Sequence, residues 1–195
     1  MLGSTSRYRR ALLERLGLSF TVAAPDLDET ALPAEPAAQM ALRLAEAKAR
    51  AVAARFANAL VIGSDQVADC AGQRIGKPGS RSAAVDQLQS LSGKTVIFHT
   101  GVALVDSASG RCGLALVDVS STFRPLGGAE INAYLDREEP YDCAGSVKSE
   151  GLGIALFERI ESDDPTALIG LPLIALTRLL REEGVDVLMP GASLA

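Results

Sequence analysis

The amino-acid sequence predicts a mixed α/β (α+β) fold, a twisted sheet flanked by helices. Three observations carry this expectation. Apolar runs of strand length alternate irregularly with segments of helical spacing. Two long strand-like runs are joined by the short turn "SASG", which favours a mixed sheet over a doubly wound parallel one. No linker divides the chain into independent domains, so residues 1–195 are read as one domain.

The elements follow in order. "MLGSTS" reads as the end of a strand running into a turn, a short strand because only Met1 and Leu2 are apolar there. Residues 7–16 have a helical pattern, with Leu12, Leu13 and Leu16 on one side, Ser6 as N-cap and Gly17 as a stop. "LSFTVAAP" reads as a strand ended by Pro25, and "DLDETALPAEP" as a proline-punctuated loop. Residues 37–56 give the clearest helix, with Met40, Leu44, Ala47 and Ala51 as its apolar stripe. Residues 59–63 form a short buried strand that leads, past Asp65, to a hairpin turn at Ala71 and Gly72. Residues 80–91 are helical, with Ala84, Leu88 and Leu91 along one face. The long hairpin follows, then a helix at 127–138, a glycine-rich stretch, a strand, and a closing helix at 171–183.

Composition narrows the function. Apolar residues make up 48% of the 195, enough for a sizeable core, and charged residues 22%. Aromatic residues are 4% and Trp is absent, so stacking platforms for single-stranded nucleic acid have little to build on. A net charge of −5 disfavours nucleic acid and acidic membranes as partners. The three cysteines, Cys70, Cys112 and Cys143, form no CxxC pair and read as free, mostly buried thiols of a reducing cytoplasm. The apolar stretch "ALIGLPLIAL" is too short to span a bilayer.

Two motifs mislead. "SGKT" at 92–95 resembles the end of a phosphate loop, but it precedes a strand and Leu88 stands where the first glycine belongs. His99, the one histidine, sits in an apolar strand pattern and reads as structural. Its solitude removes Ser–His and Cys–His nucleophilic chemistry, so any metal here is a hard ion on oxygen ligands.

The remaining polar groups stand at the ends of apolar segments. Ser4 and Arg9 flank the first helix start, where backbone N–H groups and the dipole suit phosphate. Asp28 and Glu29 lie in the proline-bounded loop. Lys48 lies near the apolar side of the strongest helix, Asp65 and Gln66 follow a strand, and Lys77 is fixed between Gly76 and Pro78. Each has an ordinary structural reading: a solvated loop acid, a snorkelling lysine, a turn aspartate. Together they describe carboxylates able to hold Mg²⁺ and activate water, beside cations able to neutralise a polyphosphate. That combination fits hydrolysis of a phosphoanhydride without a covalent intermediate.

Several stretches resemble, in order, the motifs of the Maf-like nucleotide pyrophosphatases. "GSTSRYRRALLERLGLSF" resembles the opening S-x-S-x-x-R motif and "DLDET" the acidic loop. "RLAEAKARAVA", "VIGSDQV", "IGKP", "YDCAGSVKSEGLG" and "IGLPLIAL" resemble the later ones, over nearly the whole chain. The details are most similar to the 7-methyl-GTP subgroup. The resemblance implies two lobes around a cleft, similar to inosine triphosphate pyrophosphatases. It implies hydrolysis of a nucleoside triphosphate to the monophosphate and diphosphate, with a divalent metal (Mg²⁺, Mn²⁺ or Co²⁺). It makes Asp65 the general base and a metal ligand with Glu29, and lines the phosphate end with Ser4, Arg9, Lys48 and Lys77. Tyr8, Gln66 and Glu150 fall where the family selects its base, Tyr8 standing where close relatives are expected to carry tryptophan. Alternatives from the same reading are a pyrophosphatase for dTTP, UTP or other modified nucleotides, and a nucleotide-binding regulator of cell division without turnover. The expected partner is a nucleoside triphosphate in the cytoplasm; a homodimer is left open.

Overall fold

Glycines decide how closely the main helix lies on the sheet. The computed structural model describes residues 1–189. Its helices are α1 (Arg7–Glu14), α2 (Ala37–Ala53), α3 (Arg81–Leu91), α4 (Gly128–Glu138) and α5 (Leu173–Glu182). Its strands are β1 (Leu60–Cys70), β2 (Gln73–Ile75), β3 (Thr95–Asp106), β4 (Cys112–Phe123) and β5 (Phe157–Glu161), in the sheet order β2-β1-β3-β4-β5. β1 pairs with β2, and β4 with β5, antiparallel. Leu2 adds parallel bridges to Val22 and Ile62, which makes the pairing mixed. The mixed α/β expectation therefore holds.

The described chain falls into two compact units. The first comprises residues 1–66, 100–117 and the chain from Asp164 on; the second comprises 67–99 and 118–163.

In the first unit, strand alternation sorts side chains onto two faces. Val61, Ala103 and Val105 pack with Ala45, Ala49 and Val52 of α2. Ile62, Val102 and Leu104 pack with Leu12 and Leu13 of α1 and Leu176 and Leu180 of α5. A Cβ on Gly63 would meet the Ala45 carbonyl and lie 2.6 Å from the Ala49 nitrogen; one on Gly101 would lie 2.8 Å from the Ala41 carbonyl carbon. Only glycine lets β1 and β3 approach α2 so closely. This approach turns α2 so that Ala41, Leu44, Ala45, Lys48, Ala49 and Val52 are buried. Of the stripe expected from sequence, Leu44 alone is buried, because the alanine ridge facing Gly63 and Gly101 sets the contact.

In the second unit, α3 is capped by Ser80 and buries the expected face, Ala84, Leu88 and Leu91. It packs with α4, which buries Ile131, Tyr134 and Leu135. Phe123 and Phe157 meet with ring centroids 4.8 Å apart across the β4–β5 pair. The β1–β2 turn is the expected one: Ala71 and Gly72 both take positive φ, the pairing of a two-residue hairpin whose twist matches its strands. His99 is structural, its Nδ1 2.7 Å from Asp118 Oδ1. The cysteines are free but half-buried, not fully buried.

Two boundaries differ in ways that bear on function. The strand expected at 59–63 runs on to Cys70, so Asp65 and Gln66 lie inside β1 and not after its end. "GSD" has turn composition, yet Gly63 packs on Ala45 and Ala49, Ser64 bonds to Gly101 O and Gly170 O, and Asp65 to Lys48, all within the strand. The strand expected at "LSFTVAAP" is reduced to isolated bridges, held where Leu2 N–H donates to Thr21 O and Ala23 N–H to Leu2 O. The helices are also shorter than expected: α2 stops at Ala53 and α5 starts at Leu173, after Pro172.

Candidate active site

Gly63 and Asp65 share one face of β1, and the close approach at Gly63 brings Asp65 to α2. There Lys48 Nζ donates to Asp65 Oδ1 at 2.6 Å and to Glu29 Oε2 at 2.8 Å. The Lys48 and Asp65 side chains are 6% and 10% exposed, that of Glu29 52%. A lysine carries three N–H donors, so one remains. Asp65 Oδ2 and Glu29 Oε1 take no hydrogen bond among the described residues. The site is thus a buried cation between two acids, each with an oxygen to spare.

The loop that carries Glu29 is built by its neighbours. Thr30 donates to Asp28 Oδ1 from both its hydroxyl (2.6 Å) and its backbone (2.8 Å), and these bonds hold the Asp28 carboxyl below its ordinary range. Arg43 of α2 grips Glu35 through two bonds and donates to Thr30 O at 3.2 Å. Asp28 is therefore occupied with loop geometry.

Ser4 and Arg9 meet at the start of α1. Ser6 caps the helix by accepting from Arg9 N–H, and Ser4 Oγ accepts from Ser6 N–H at 3.2 Å and Arg9 Nη1 at 3.4 Å. Arg9 Nε donates to Gly170 O at 2.9 Å. Burial lowers the Arg9 guanidinium from its ordinary value, against the opposing charges of Asp65 and Glu29, which favour the cation. The guanidinium thus shares the electrostatic environment of the two acids.

Ser64 and Gln66 point to the opposite face of β1 from Asp65. Ser64 Oγ is within 2.8 Å of Gly101 O and 2.9 Å of Gly170 O. Gln66 Nε2 donates toward Ala167 O (2.9 Å), Leu168 O (3.0 Å) and Thr100 Oγ1 (3.0 Å). Tyr8, half-buried in the first turn of α1, lies under Arg7, whose guanidinium is 4.8 Å from the ring centroid and 2.7 Å from the hydroxyl.

Seven of the nine sequence-chosen residues (Ser4, Tyr8, Arg9, Glu29, Lys48, Asp65 and Gln66) belong to the first unit. Lys77 and Glu150 belong to the second and are both exposed. Lys77 sits in a loop tied down on either side, where Gly76 O accepts from Gln87 Nε2 and Gly79 N–H donates to Tyr141 O. Glu150 follows Lys148, whose amide donates to the Tyr134 hydroxyl at 3.0 Å. Sequence reasoning missed Ser64, Thr100 and the 167–170 turn. Their work is done by a hydroxyl or a main-chain carbonyl, which residue type alone does not announce.

The family model described as Maf-like protein matches residues 1–183. The chain belongs to the Maf family. Curated relatives match along nearly all of it. A protein of Albidiferax ferrireducens named 7-methyl-GTP pyrophosphatase is 57% identical over 188 residues, 96% of this chain and 94% of its own. Proteins of the same name from Cupriavidus metallidurans and Thiobacillus denitrificans are 58% and 55% identical, covering 94% and 96% of this chain and 92% and 94% of their own. In this Maf chain the S-x-S-x-x-R motif is Ser4, Ser6 and Arg9, the three residues that the α1 cap ties together. Among the described residues, no helix is long and apolar enough to cross a membrane.

Proposed function

We propose that this Maf protein hydrolyses 7-methyl-GTP to 7-methyl-GMP and diphosphate, with Asp65 as general base. The observation that carries the mechanism is the contact of Lys48 with both Asp65 and Glu29. The name shared by the relatives supports the substrate.

Water attacks the α phosphorus, an O–P bond forms, and the bond to the bridging oxygen of the departing diphosphate breaks. Asp65 accepts the water's proton at Oδ2, the oxygen that Lys48 leaves unengaged, while Lys48 holds the carboxylate in place. The third N–H of Lys48 and the Nη2 side of Arg9 offset charge on the leaving diphosphate, and Lys77 adds to it. Ser4 orients Arg9 for this task.

The donor set fits a divalent cation. Asp65 and Glu29 offer hard oxygen atoms, and no group of three or more His, Cys, Asp or Glu placed to hold a metal ion occurs among the described residues. Phosphate and water oxygens would complete the shell, the usual arrangement for Mg²⁺. Mg²⁺, Mn²⁺ or Co²⁺ held by these two carboxylates would supply charge neutralisation and Lewis-acid activation of water.

For the base, we assign Tyr8, Gln66 and Glu150. A 7-methylated guanine carries a ring cation, which Tyr8 stacks against, a contact worth roughly 0.5–2 kcal/mol. Glu150 accepts from the ring N–H and the exocyclic amine. Such an enzyme works in the cytoplasm, where its nucleotide substrate is.

A panel of canonical and methylated nucleoside triphosphates in ¹⁸O-labelled water, with each metal, tests the reading. Fastest diphosphate release from 7-methyl-GTP, with label in 7-methyl-GMP, supports it. Label in the diphosphate, or faster release from dTTP or UTP, overturns it.

A further inference from the structure

We infer that Thr100 is a positioning residue that fixes the carboxamide of Gln66 with its oxygen outward, so that this position accepts a hydrogen bond from the nucleobase and does not donate one. The inference rests on the reading of Gln66 as a base-contacting residue.

The argument begins with strand parity. Gln66 of β1 and Thr100 of β3 lie on the face that carries Ile62, Val102 and Leu104, opposite the Asp65 face. The Thr100 side chain is fully buried. Its hydroxyl donates to Ala167 O at 3.0 Å. A threonine hydroxyl has one hydrogen, so toward Gln66 it presents a lone pair. The Gln66 atom 3.0 Å away must then be a donor.

The other two neighbours impose the same polarity. Ala167 O and Leu168 O, 2.9 and 3.0 Å from the same atom, are carbonyls and only accept. A flipped carboxamide would set its oxygen against two carbonyls and could gain only the Thr100 hydrogen, which would leave Ala167 O. The amide nitrogen therefore faces inward, its two hydrogens shared among three acceptors. Gln66 Oε1 takes no hydrogen bond among the described residues, and the residue is half-buried. A glutamine in water offers either end to a ligand; this one has a single polarity. The group it meets is a ring N–H or an exocyclic amine, not a keto oxygen.

The 167–168 carbonyls are in turn held in place. Asp164, 2% exposed, accepts from Thr166 N–H and Oγ1 and from Ile174 N–H at the start of α5. Thr166 Oγ1 also accepts from Leu173 N–H at 2.8 Å. The acceptors that orient Gln66 are thereby tied to a helix end.

Thr100→Val keeps the shape and removes the acceptor; Thr100→Ser restores it. Hydrogen exchange of the Gln66 side-chain amide, followed by NMR on the full chain, reads the lock without turnover. Strong protection is expected in wild type and in Thr100→Ser, and loss by about fivefold in Thr100→Val, the effect of one hydrogen bond. Steady-state kinetics with 7-methyl-GTP are expected to show KM raised by a similar factor in Thr100→Val and kcat little changed. An unprotected wild-type amide, or protection and KM unchanged by Thr100→Val, overturns the inference. If wild type releases no diphosphate from 7-methyl-GTP, the proposed function fails instead, and the exchange measurement still judges the lock.

Discussion

Lys48 Nζ stands 2.6 Å from Asp65 Oδ1, a lysine of α2 and an aspartate of β1 held together where neither is well hydrated. Removing one member of such a pair leaves the other charge uncompensated, whereas removing both does not. Lys48→Met is expected to destabilise the fold by about 3 kcal/mol. The double variant Lys48→Met with Asp65→Asn should be more stable than Lys48→Met alone. Urea midpoints of the four proteins check this, and strictly additive losses would contradict it.

Close packing at Gly63 is what delivers Asp65 to Lys48. A methyl there meets the backbone of Ala45 and Ala49, which cannot yield without moving α2. Gly63→Ala is therefore expected to cost about 2 kcal/mol or more. It should also slow turnover more than Gly128→Ala does, where a Cβ meets nothing within 4 Å. Equal activity and equal thermal midpoints for Gly63→Ala and wild type would count against this packing argument.

Glu29 is half exposed, so its ion pair contributes little to stability. Glu29→Gln should change the unfolding free energy by less than about 1 kcal/mol. The divalent-cation concentration giving half-maximal diphosphate release should nonetheless rise at least several-fold, and chelation should abolish release in wild type. An unchanged metal requirement in the variant would remove Glu29 from the metal assignment.

Tyr134 gives the fold an alkaline limit. Burial raises its phenol well above the ordinary value, against a hydrogen bond from the Lys148 amide that favours the ionised form. Because the folded-state value is the raised one, the stabilisation is complete below about pH 10, the unfolded value, and declines as pH rises beyond it. Tyr134→Phe lowers stability at pH 8, since Ser146 O and Lys148 N–H lose a partner. Its denaturation midpoint should then fall less steeply above pH 10 than that of wild type. Parallel slopes would refute the cause assigned.

Residue patterns announced most of this architecture because helix spacing and turn chemistry are local. Ser6 as a cap, the Ala71–Gly72 hairpin and the α3 face Ala84, Leu88 and Leu91 were all legible. The face of α2 was not, because an alanine ridge against Gly63 and Gly101 is decided by which strand comes near. The length of β1 was hidden for a related reason. "GSD" has turn composition, and the neighbours that hold it and Gln66 in a strand, the β3 pairing and the contacts to Gly170, Lys48 and Thr100, are distant in sequence. The charged members of the site stood out as residue types. The carbonyls of 167, 168 and 170 could not, since every residue carries one.

The most direct measurement is turnover of 7-methyl-GTP by Asp65→Asn beside calorimetric binding of the nucleotide to the same protein. A general base contributes about 10²–10⁴-fold, so kcat should fall by at least a hundredfold while the dissociation constant stays within a few-fold of wild type. Turnover within tenfold of wild type, with binding intact, would contradict Asp65 as the base.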